Sequence, residues 1–252
     1  MAQANKTVEK LLVSIQDDAA VRQILMGAHW TAVVLDTDPP RCGLASTLPT
    51  VGHHGGFPVK DAGVLHQQSG RRLAELLRSS SGLEASIGMA AFNALLDVDE
   101  SGLAEANAEQ IIRDRGSRGR VAIVGHFPFV ERIKKDTKEC WVLELDPRAG
   151  DLPATQAAEL LPRADVVALT GTSLLNHTFD ELIGLCRPGA FVLLLGPSVP
   201  FSPLLFDRGV GALSGTRVTD PDHVLLSVGQ GATFRQIKRA GGLRLLTWIG
   251  DG

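Results

Sequence analysis

The sequence contains few of the residues that mark disulfide-rich, nucleic-acid-binding or membrane proteins. Its 252 residues include only 3 cysteines, and tyrosine, a common catalytic acid, is absent. Three cysteines far apart in the chain argue against a disulfide framework and favour a reducing compartment. The formal net charge of −3 is too close to zero to indicate nucleic acid or an anionic membrane as a partner.

Signals for export and for standard cofactor or metal sites are missing as well. The first residues, MAQANKTVEKLL, lack an apolar signal-peptide core, and apolar runs such as FVLLL are too short to span a bilayer. We therefore predict a cytoplasmic protein. No CxxC, HExxH or GxSxG motif occurs. A standard NAD(P) site is not expected, because GHFPFV replaces GxGxxG and Pro128 removes a backbone N–H that a pyrophosphate would use.

The first half of the chain has the pattern of strands followed by helices, which is typical of an α+β domain. A helix is predicted over 7–15, and the glycine-rich loop VGHHGGFPVKDAG separates the strands from later helices. The predicted strands are 21–26, 30–36 and 42–48. Ser69 is a good N-cap for the next helix, and 85–96 is apolar on most sides, as a buried helix is. We assign this domain to residues 1–105.

From about Arg120 onward, apolar runs alternate with helical segments. The runs are apolar on both faces, as strands of a parallel sheet buried by helices are. They cover 120–125, 140–146, 165–171, 191–196, 210–215 and 243–248. Helix-start signals lie between them, namely a Thr178–Glu181 capping box, Ser202-Pro203 and Asp220-Pro221. The predicted fold class is α/β, with a Rossmann-like parallel sheet over 106–252 behind the smaller α+β domain.

Ligands of open parallel sheets bind beyond the carboxyl ends of the strands, where the strand order reverses. At those ends the sequence repeatedly places glycine beside hydroxyl or amide residues, which can approach and hydrogen-bond a ligand. The candidates of this kind are Gly125, Gly171, Thr172, Ser173, Asn176, Gly196 and Ser198. His126 adds a side chain that exchanges protons near neutral pH, so His126 and Asn176 are the candidate catalytic residues. The alternative for each loop is ordinary turn and capping chemistry.

Acidic residues and histidines leave further alternatives open. Asp146, like Glu144, ends the second Rossmann strand, where such folds place a ribose-binding carboxylate, so a nucleoside ligand such as S-adenosylmethionine competes with a solvated strand end. Asp151 is explained as the N-cap of a predicted helix over 151–161, with a role in the crevice as the alternative. Metal binding by His53-His54 would require a loop. We expect no tightly bound structural zinc, because the cysteines are scattered.

The sharpest hypothesis places one site between the strand ends at Gly125 and Gly171. If the third Rossmann strand pairs beside the first, on the side away from the second, the order reverses there and a crevice opens. His126, Thr172, Ser173 and Asn176 would line it, and the N-terminus of the helix after Thr178 would favour an anionic or oxygen-rich ligand. In the alternative, His126 is a satisfied buried residue and the hydroxyls cap helices.

Several motifs in order resemble the putative heavy-metal chelation family of largely uncharacterised prokaryotic proteins. They are GHFPFV, ELDPRAGDLPA, ADVVALTGTSLLNHTFDELI and LLLGPSVPFSPLLFDRGVGALSGTRVTDP, preceded by WTAVVL, CGLASTL and EASIGMAAFNALL. The resemblance implies an enolase-N-terminal-like α+β domain before the Rossmann-like domain, with an active site between them. The positions that match are Gly125, His126, Phe127, Asp151, Thr172, Ser173, Asn176, Gly196, Pro197 and Ser198, with Cys42, Gly43, Leu44 and Asn93 from the front domain.

The resemblance implies a small-molecule-binding protein, and we favour an enzyme that acts on pterin-, flavin- or siderophore-like compounds in an interdomain cleft. Two alternatives remain: a non-catalytic heavy-metal or metal-chelate binding protein, and an S-adenosylmethionine-dependent, methyltransferase-like enzyme. The expected partner is a small molecule or metal chelate, with no nucleic acid and no membrane, and a homodimer stays open. The sequence names no cofactor.

Overall fold

The computed structural model describes residues 5–49 and 58–250, and in that part of the chain the strands form two sheets. The strands are β1 (Val21–Met26), β2 (Trp30–Leu35), β3 (Arg41–Ser46), β4 (Leu103–Ala104), β5 (Arg120–Val124), β6 (Glu139–Glu144), β7 (Leu152–Pro153), β8 (Val166–Thr170), β9 (Phe191–Leu195), β10 (Ala212–Val218) and β11 (Leu243–Ile249). The smaller sheet has the order β1-β2-β3 and the larger one β4-β11-β10-β9-β8-β5-β6-β7.

Helices of several lengths connect the strands. The α-helices are α1 (Lys6–Val13), α2 (Gly70–Ala74), α3 (Gly82–Leu95), α4 (Ala108–Gly116), α5 (Val130–Asp136), α6 (Ala157–Leu160), α7 (Thr172–Leu175), α8 (Phe179–Leu185), α9 (Pro221–Gly229) and α10 (Phe234–Ala240). Short 3₁₀ helices lie at Leu65–Gln67, Glu75–Arg78, Glu100–Gly102, Ala154–Gln156, Leu161–Arg163 and Pro203–Arg208. No helix among the described residues is long and apolar enough to cross a membrane.

The three-stranded sheet is buried on both faces, and each face is covered by a different part of the chain. Val33 and Leu35 of β2 join the apolar cluster that contains α2 and α3. Ala32 and Val34 alternate with them, and so they pack on the opposite side against residues of the last two helices. Those residues are Val224, Leu225, Val228 and Ile237. The two halves of the chain therefore share one apolar interior.

Helix α3 lies unusually close to β3, because Gly43 has no side chain. A Cβ at Gly43 would be 2.0 Å from the carbonyl oxygen of Ala90 and 2.4 Å from the backbone nitrogen of Ala94. Ten of the fourteen residues of α3 are buried. The prediction of a buried helix over 85–96 is therefore confirmed, and the helix begins three residues earlier than expected.

The larger sheet has the predicted reversal of strand order. Strand β5 pairs in parallel with both β6 and β8, so that Val124 lies between Leu143 and Leu169. The last strand differs from the expectation of a parallel set, because β11 runs antiparallel to β10. The short edge strands β4 and β7 were not predicted. The domain boundary at residue 105 stays a prediction, although β4, which lies before it, already pairs with β11.

The predicted helix over 151–161 is wrong in its bounds, because only four of these residues are α-helical. Its first residues form β7, in which Pro153 has extended backbone angles, and only Ala157–Leu160 is α-helical before Pro162 falls in a 3₁₀ turn. Asp151 is therefore not an N-cap. Proline fixes φ and lacks the N–H that an α-helix interior requires, so the two prolines limit the helix to a single turn.

The predicted caps have mixed outcomes. Ser69 accepts a hydrogen bond from the Arg72 amide, and Asp220 accepts one from the His223 amide, as expected of N-caps. Ser202 makes no side-chain cap bond although Pro203 follows it. The capping box at Thr178 is absent, because Thr178 itself has helical backbone angles and its hydroxyl donates to Asn176. A residue with helical angles cannot present its side chain to the first amides as an N-cap does.

A polar cluster also joins α1 to the second half of the chain. Asp180 accepts hydrogen bonds from the Thr7 amide at 3.0 Å, the Thr7 hydroxyl at 2.5 Å and the Arg208 guanidinium at 2.9 Å. Burial opposes ionisation of Asp180, but these bonds outweigh it, so the pKa of the carboxyl lies below its ordinary value. The cluster thus adds charge-assisted bonds to the apolar contact between the halves.

Candidate functional site

The most distinctive polar contact at the carboxyl edge of the large sheet joins His126 to Asp151. Gly125 follows β5 with φ +103° and turns the chain, so that His126 comes two residues after the last residue of the strand. Nδ1 of His126 lies 3.1 Å from a carboxylate oxygen of Asp151, which also accepts the Arg148 amide at 3.2 Å. The Asp151 side chain is 2% exposed and that of His126 is 31% exposed. Nδ1 thus faces a buried carboxylate, while the ring keeps an accessible edge.

This contact determines which nitrogen of His126 can act. A carboxylate oxygen accepts a hydrogen bond, so the pair favours the tautomer with the proton on Nδ1 and the lone pair on Nε2. A histidine held in this way serves either as a general base or as a metal ligand. Asp151 is 25 residues away from His126 in sequence, and both belong to the second half of the chain. The pair therefore forms without any contribution from the front half.

Apolar side chains lie on the same two loops as this pair, after β5 and after β6. Leu145 follows β6, the strand next to β5, and the residue is 74% exposed. Phe127 and Phe129 are half-buried and stack nearly parallel, with ring centroids 5.3 Å apart. Asp146 lies beside Leu145 in an exposed turn, so it is at the strand end where a ribose-binding carboxylate was predicted. Whether it binds a ribose stays a prediction.

The loop after β8 uses its hydroxyl groups locally. The hydroxyl of buried Ser173 donates to the Thr170 carbonyl at 2.7 Å, and the hydroxyls of Thr170 and Thr172 are 3.0 Å apart. Gly171 is tightly packed, since a Cβ there would be 2.8 Å from a methyl group of Val199. These contacts are ordinary turn chemistry and packing, which was the alternative to a ligand site for this loop. Thr172 is only partly buried and lies across from the end of β5.

Asn176 and His177 also have local or structural partners. The Asn176 side-chain oxygen accepts hydrogen bonds from the amide and the hydroxyl of Thr178. His177 has φ +64° and donates from Nε2 to the Leu77 carbonyl at 2.8 Å, which ties it to the front half. Helix α8 has only seven residues, and Asp180 in its first turn is bound to Thr7. The predicted anion site at its N-terminus is therefore not supported.

The front-domain candidates meet at a different place, at the carboxyl end of β10. A cavity of about 10 Å³, large enough for one water molecule, separates the two halves there. Its lining includes all four front-domain candidates, Cys42, Gly43, Leu44 and Asn93, together with Val199, Phe201, Thr216, Arg217 and Val218, but not His126. Asn93 donates to the Leu44 carbonyl at 3.0 Å, and its buried oxygen has no hydrogen-bond partner among the described residues.

The loop after β9 belongs to the same seam between the halves. Ser198 is buried and its hydroxyl accepts a hydrogen bond from the Ser46 amide at 2.9 Å. The carbonyl of Pro197 accepts the Thr216 hydroxyl at 3.4 Å, and Gly196 has φ +117°. The residues of the predicted single site are thus divided between the His126–Asp151 pair, whose histidine is partly exposed, and a closed seam between the two halves.

Cysteine and histidine contribute little to a conventional metal site. Burial raises the pKa of the Cys42 thiol to about 12 and those of Cys140 and Cys186 to about 11, so all three thiols stay protonated near neutral pH. Among residues 5–49 and 58–250, no three His, Cys, Asp or Glu side chains are grouped so that they could hold a metal ion. The pair His53-His54 lies outside the described residues.

Comparisons with known proteins agree with this architecture. Two family models, both described as putative heavy-metal chelation, match residues 8–96 and 107–247. An uncharacterised protein of Methanocaldococcus jannaschii is 30% identical over 230 residues, which are 86% of this chain and 85% of that protein.

Solved structures show the same fold. A protein of unknown function from the DUF364 family of Desulfitobacterium hafniense is 26% identical, with a TM-score of 0.80 and coverage of 97% of both chains. A second DUF364 protein of unknown function, from Pyrococcus horikoshii, has 19% identity, a TM-score of 0.82 and coverage of 98% of this chain and 99% of that one. The resemblance noted in the motifs is therefore confirmed, and the chain belongs to the putative heavy-metal chelation family.

Proposed function

We propose that this protein binds a small organic ligand at the carboxyl edge of β5 and β6, and that His126 exchanges a proton with it. The observation that carries the proposal is the contact between Nδ1 of His126 and the buried carboxylate of Asp151. A buried carboxylate that accepts the Nδ1 proton fixes the orientation and the tautomer of the ring, which is what a general base requires. Strand order reverses at β5, which pairs with β8 on the side away from β6, and open parallel sheets bind their ligands beside such a reversal.

The surroundings favour a ligand with a flat, partly apolar body. Phe127 and Phe129 follow His126 in the loop after β5 and are half-buried against the core, and Leu145 is exposed after β6. Pterin-, flavin- and siderophore-like compounds combine such a body with N–H or O–H groups that a histidine can deprotonate. We place this activity in the cytoplasm, where three unpaired cysteines would stay reduced.

Three probes test the proposal on the full chain: pterin-6-carboxylate, riboflavin and 2,3-dihydroxybenzoate, a metal-free catechol. Binding is measured by isothermal titration calorimetry in two buffers of different ionisation enthalpy, so that proton transfer on binding appears as a buffer-dependent heat. We expect at least one probe to bind with a proton transfer that disappears in His126→Gln.

The matched control is His66→Gln. His66 is exposed and far from the described pair in sequence, so its substitution should leave binding and proton transfer unchanged. If no probe binds, or if binding and proton transfer are the same in His126→Gln and the wild type, the proposed function is wrong.

A further inference from the structure

We infer that the outer edge of β1 binds a second copy of this chain, so that two three-stranded sheets join into one six-stranded sheet across a two-fold axis. The inference does not depend on the ligand proposed for His126, because it uses a strand in the other half of the chain. Four features of this edge carry it: unpaired backbone groups, missing protection, an apolar groove and a self-complementary pattern.

Two residues of β1 present unpaired backbone groups at the outer edge of the small sheet. In that sheet β1 pairs only with β2, and the Gly27 amide donates to the Trp30 carbonyl at 2.8 Å. Because backbone groups alternate in direction along a strand, those of Leu25 face β2, whereas those of Ile24 and Met26 face outward. Within the described part of the chain, no group forms a hydrogen bond with these outward-facing amides and carbonyls.

This edge lacks the protection that the other sheet edges in the structure have. Apolar edge strands attract further strands, and proteins usually shorten, charge or cover them. The large sheet ends on both sides in two-residue strands, β4 and β7, and the outer edge of β3 faces the closed seam between the halves. At its start β1 has a bulge near Arg22 and a bridge between Ala20 and Ser69. The apolar stretch 24–26 follows without a charge or a proline.

Apolar surface continues from this edge along one face of the sheet. On the α3 side, Ile24 and Met26 pack with Leu65 in the apolar cluster, so the chain near Leu65 lies on that face of the strand. On the other side, Leu25 and Leu226 line an open groove of about 500 Å³ between β1 and α9. Leu226 is 61% exposed, although leucine is usually buried. An exposed apolar groove beside an unpaired strand is typical of a protein interface.

The pattern of the β1 edge is complementary to itself. A two-fold axis at Leu25 would pair Ile24 of each copy with Met26 of the other, and the two pairs would form four backbone hydrogen bonds. The two Leu25 side chains would lie opposite each other, with Cβ atoms about 4.5–5.5 Å apart. Both copies of α9 would lie on the same face of the joined sheet, so that Leu226 of each copy borders one continuous groove.

The charges beside the groove also fit a second copy. The groove is lined by Asp222 and by the neutral side chains Gln23 and Gln230. The Asp222 carboxylate lies 3.9 Å from the Arg22 guanidinium, and both side chains are largely exposed. One positive and one negative charge leave the patch without net charge. Such a patch does not repel its own copy, and it does not select a strongly acidic or basic partner.

The first experiment tests the position of the axis with cysteine variants of the full chain. Leu25→Cys should form a disulfide-linked dimer under mild oxidation, because opposed Cβ atoms at this spacing are within disulfide range. Gln23→Cys is the matched control on the same strand and the same face. The axis would place its two copies four residues apart along the strand, which is about 13 Å and out of disulfide range. Non-reducing electrophoresis compares both variants with the wild type.

The second experiment tests the groove by sedimentation velocity over a dilution series. We expect the wild type and Leu145→Glu to form dimers, because Leu145 is an exposed leucine in the other half of the chain. Leu226→Glu should raise the dissociation constant about 100-fold, since burying one leucine is worth about tenfold or more and the axis repeats the change. Both leucines are exposed, so the fold of each copy should be retained, which circular dichroism checks.

Amide hydrogen exchange measured by NMR tests the strand pairing without a change in β1. In the wild-type dimer, the amides of Ile24 and Met26 should be protected. They should exchange rapidly on dilution and in Leu226→Glu, whereas the Leu25 amide should stay protected throughout because it is bound to β2. If Leu25→Cys does not fold, this measurement and the dissociation constant of Leu226→Glu decide.

Several results would overturn the inference. They are a wild type that is monomeric at every concentration, equal cross-linking of the two cysteine variants, or a dimer that Leu145→Glu dissociates and Leu226→Glu does not. Protection of the Ile24 and Met26 amides in a monomer would also overturn it, because another segment of the same chain would then cover the edge. None of these outcomes bears on His126, so the proposed function stands or fails separately.

Discussion

The close contact between β3 and α3 makes a strong prediction for Gly43→Ala. The new Cβ would lie 2.0 Å from the Ala90 carbonyl oxygen and 2.4 Å from the Ala94 nitrogen, so backbone atoms rather than flexible side chains must move. Overpacking a core usually costs about 1–3 kcal/mol, and we expect a loss of about 3 kcal/mol because helix and strand must separate. For a protein of this size, that lowers the melting temperature by roughly 6–12 °C.

Gly184→Ala is the matched control. Gly184 lies in α8, and a Cβ there would have no neighbour within 4 Å. The same chemical change should therefore raise stability, by about 0.5–1 kcal/mol, since alanine favours the helix and restricts the unfolded chain. Guanidinium denaturation followed by circular dichroism measures both variants. If Gly43→Ala is as stable as the wild type and impairs only ligand binding, Gly43 is a ligand contact and the packing argument is wrong.

Three further results are expected. Because the pKa of Asp180 is lowered in the folded protein, its ionised carboxylate stabilises the fold. This contribution is fully present above the unfolded pKa of about 3.9 and is lost as the pH falls through the pKa of the folded protein. Asp180→Asn should therefore lower the free energy of unfolding by about 1.5–3 kcal/mol at pH 7. It should also reduce the loss of stability that the wild type shows as the pH is lowered, and an unchanged loss would refute this. The three thiols should react slowly with iodoacetamide at neutral pH, and rapid labelling seen by mass spectrometry would contradict their burial. Nitrogen-15 NMR should find the His126 proton on Nδ1, with a shift toward the other tautomer in Asp151→Asn; equal tautomer populations in both proteins would contradict the hydrogen bond.

Local sequence patterns predicted the fold where a strand or helix is long enough for its apolar residues to recur at a regular spacing. The central strands of the large sheet were located in this way, as was the buried helix α3. Two-residue strands such as β4 and β7 have no period, so they were missed. The direction of β11 was also not predictable, because an apolar run looks the same in a parallel and an antiparallel strand. Pro153 and Pro162 divided a predicted helix, and their spacing was the signal that could have indicated it.

The sequence predicted individual residues of the candidate site but not which of them are in contact. His126 and Asp151 were both candidates, yet an aspartate before a helical pattern indicates an N-cap just as well as a partner for a distant side chain. The contact forms because β6 and β7 return the chain beside β5, which is tertiary information. Gly43 and Asn93 matched a family motif, and the structure brings them together at a closed seam, where Gly43 permits the close contact of β3 with α3 and Asn93 donates to the Leu44 carbonyl.

The two-sided burial of the three-stranded sheet has a consequence for how this architecture can be inherited. A sheet whose second face is covered by α9 and α10 could not be transferred to another protein without the last quarter of the chain. The segment that supplies those helices lies between β10 and β11, so the helices and the sheet that they cover are about 190 residues apart in the chain. Recombination between them would leave apolar β-strand surface exposed to water, where it invites aggregation. The two family models that describe this chain separately should therefore be found side by side in genomes, lost or kept as a pair.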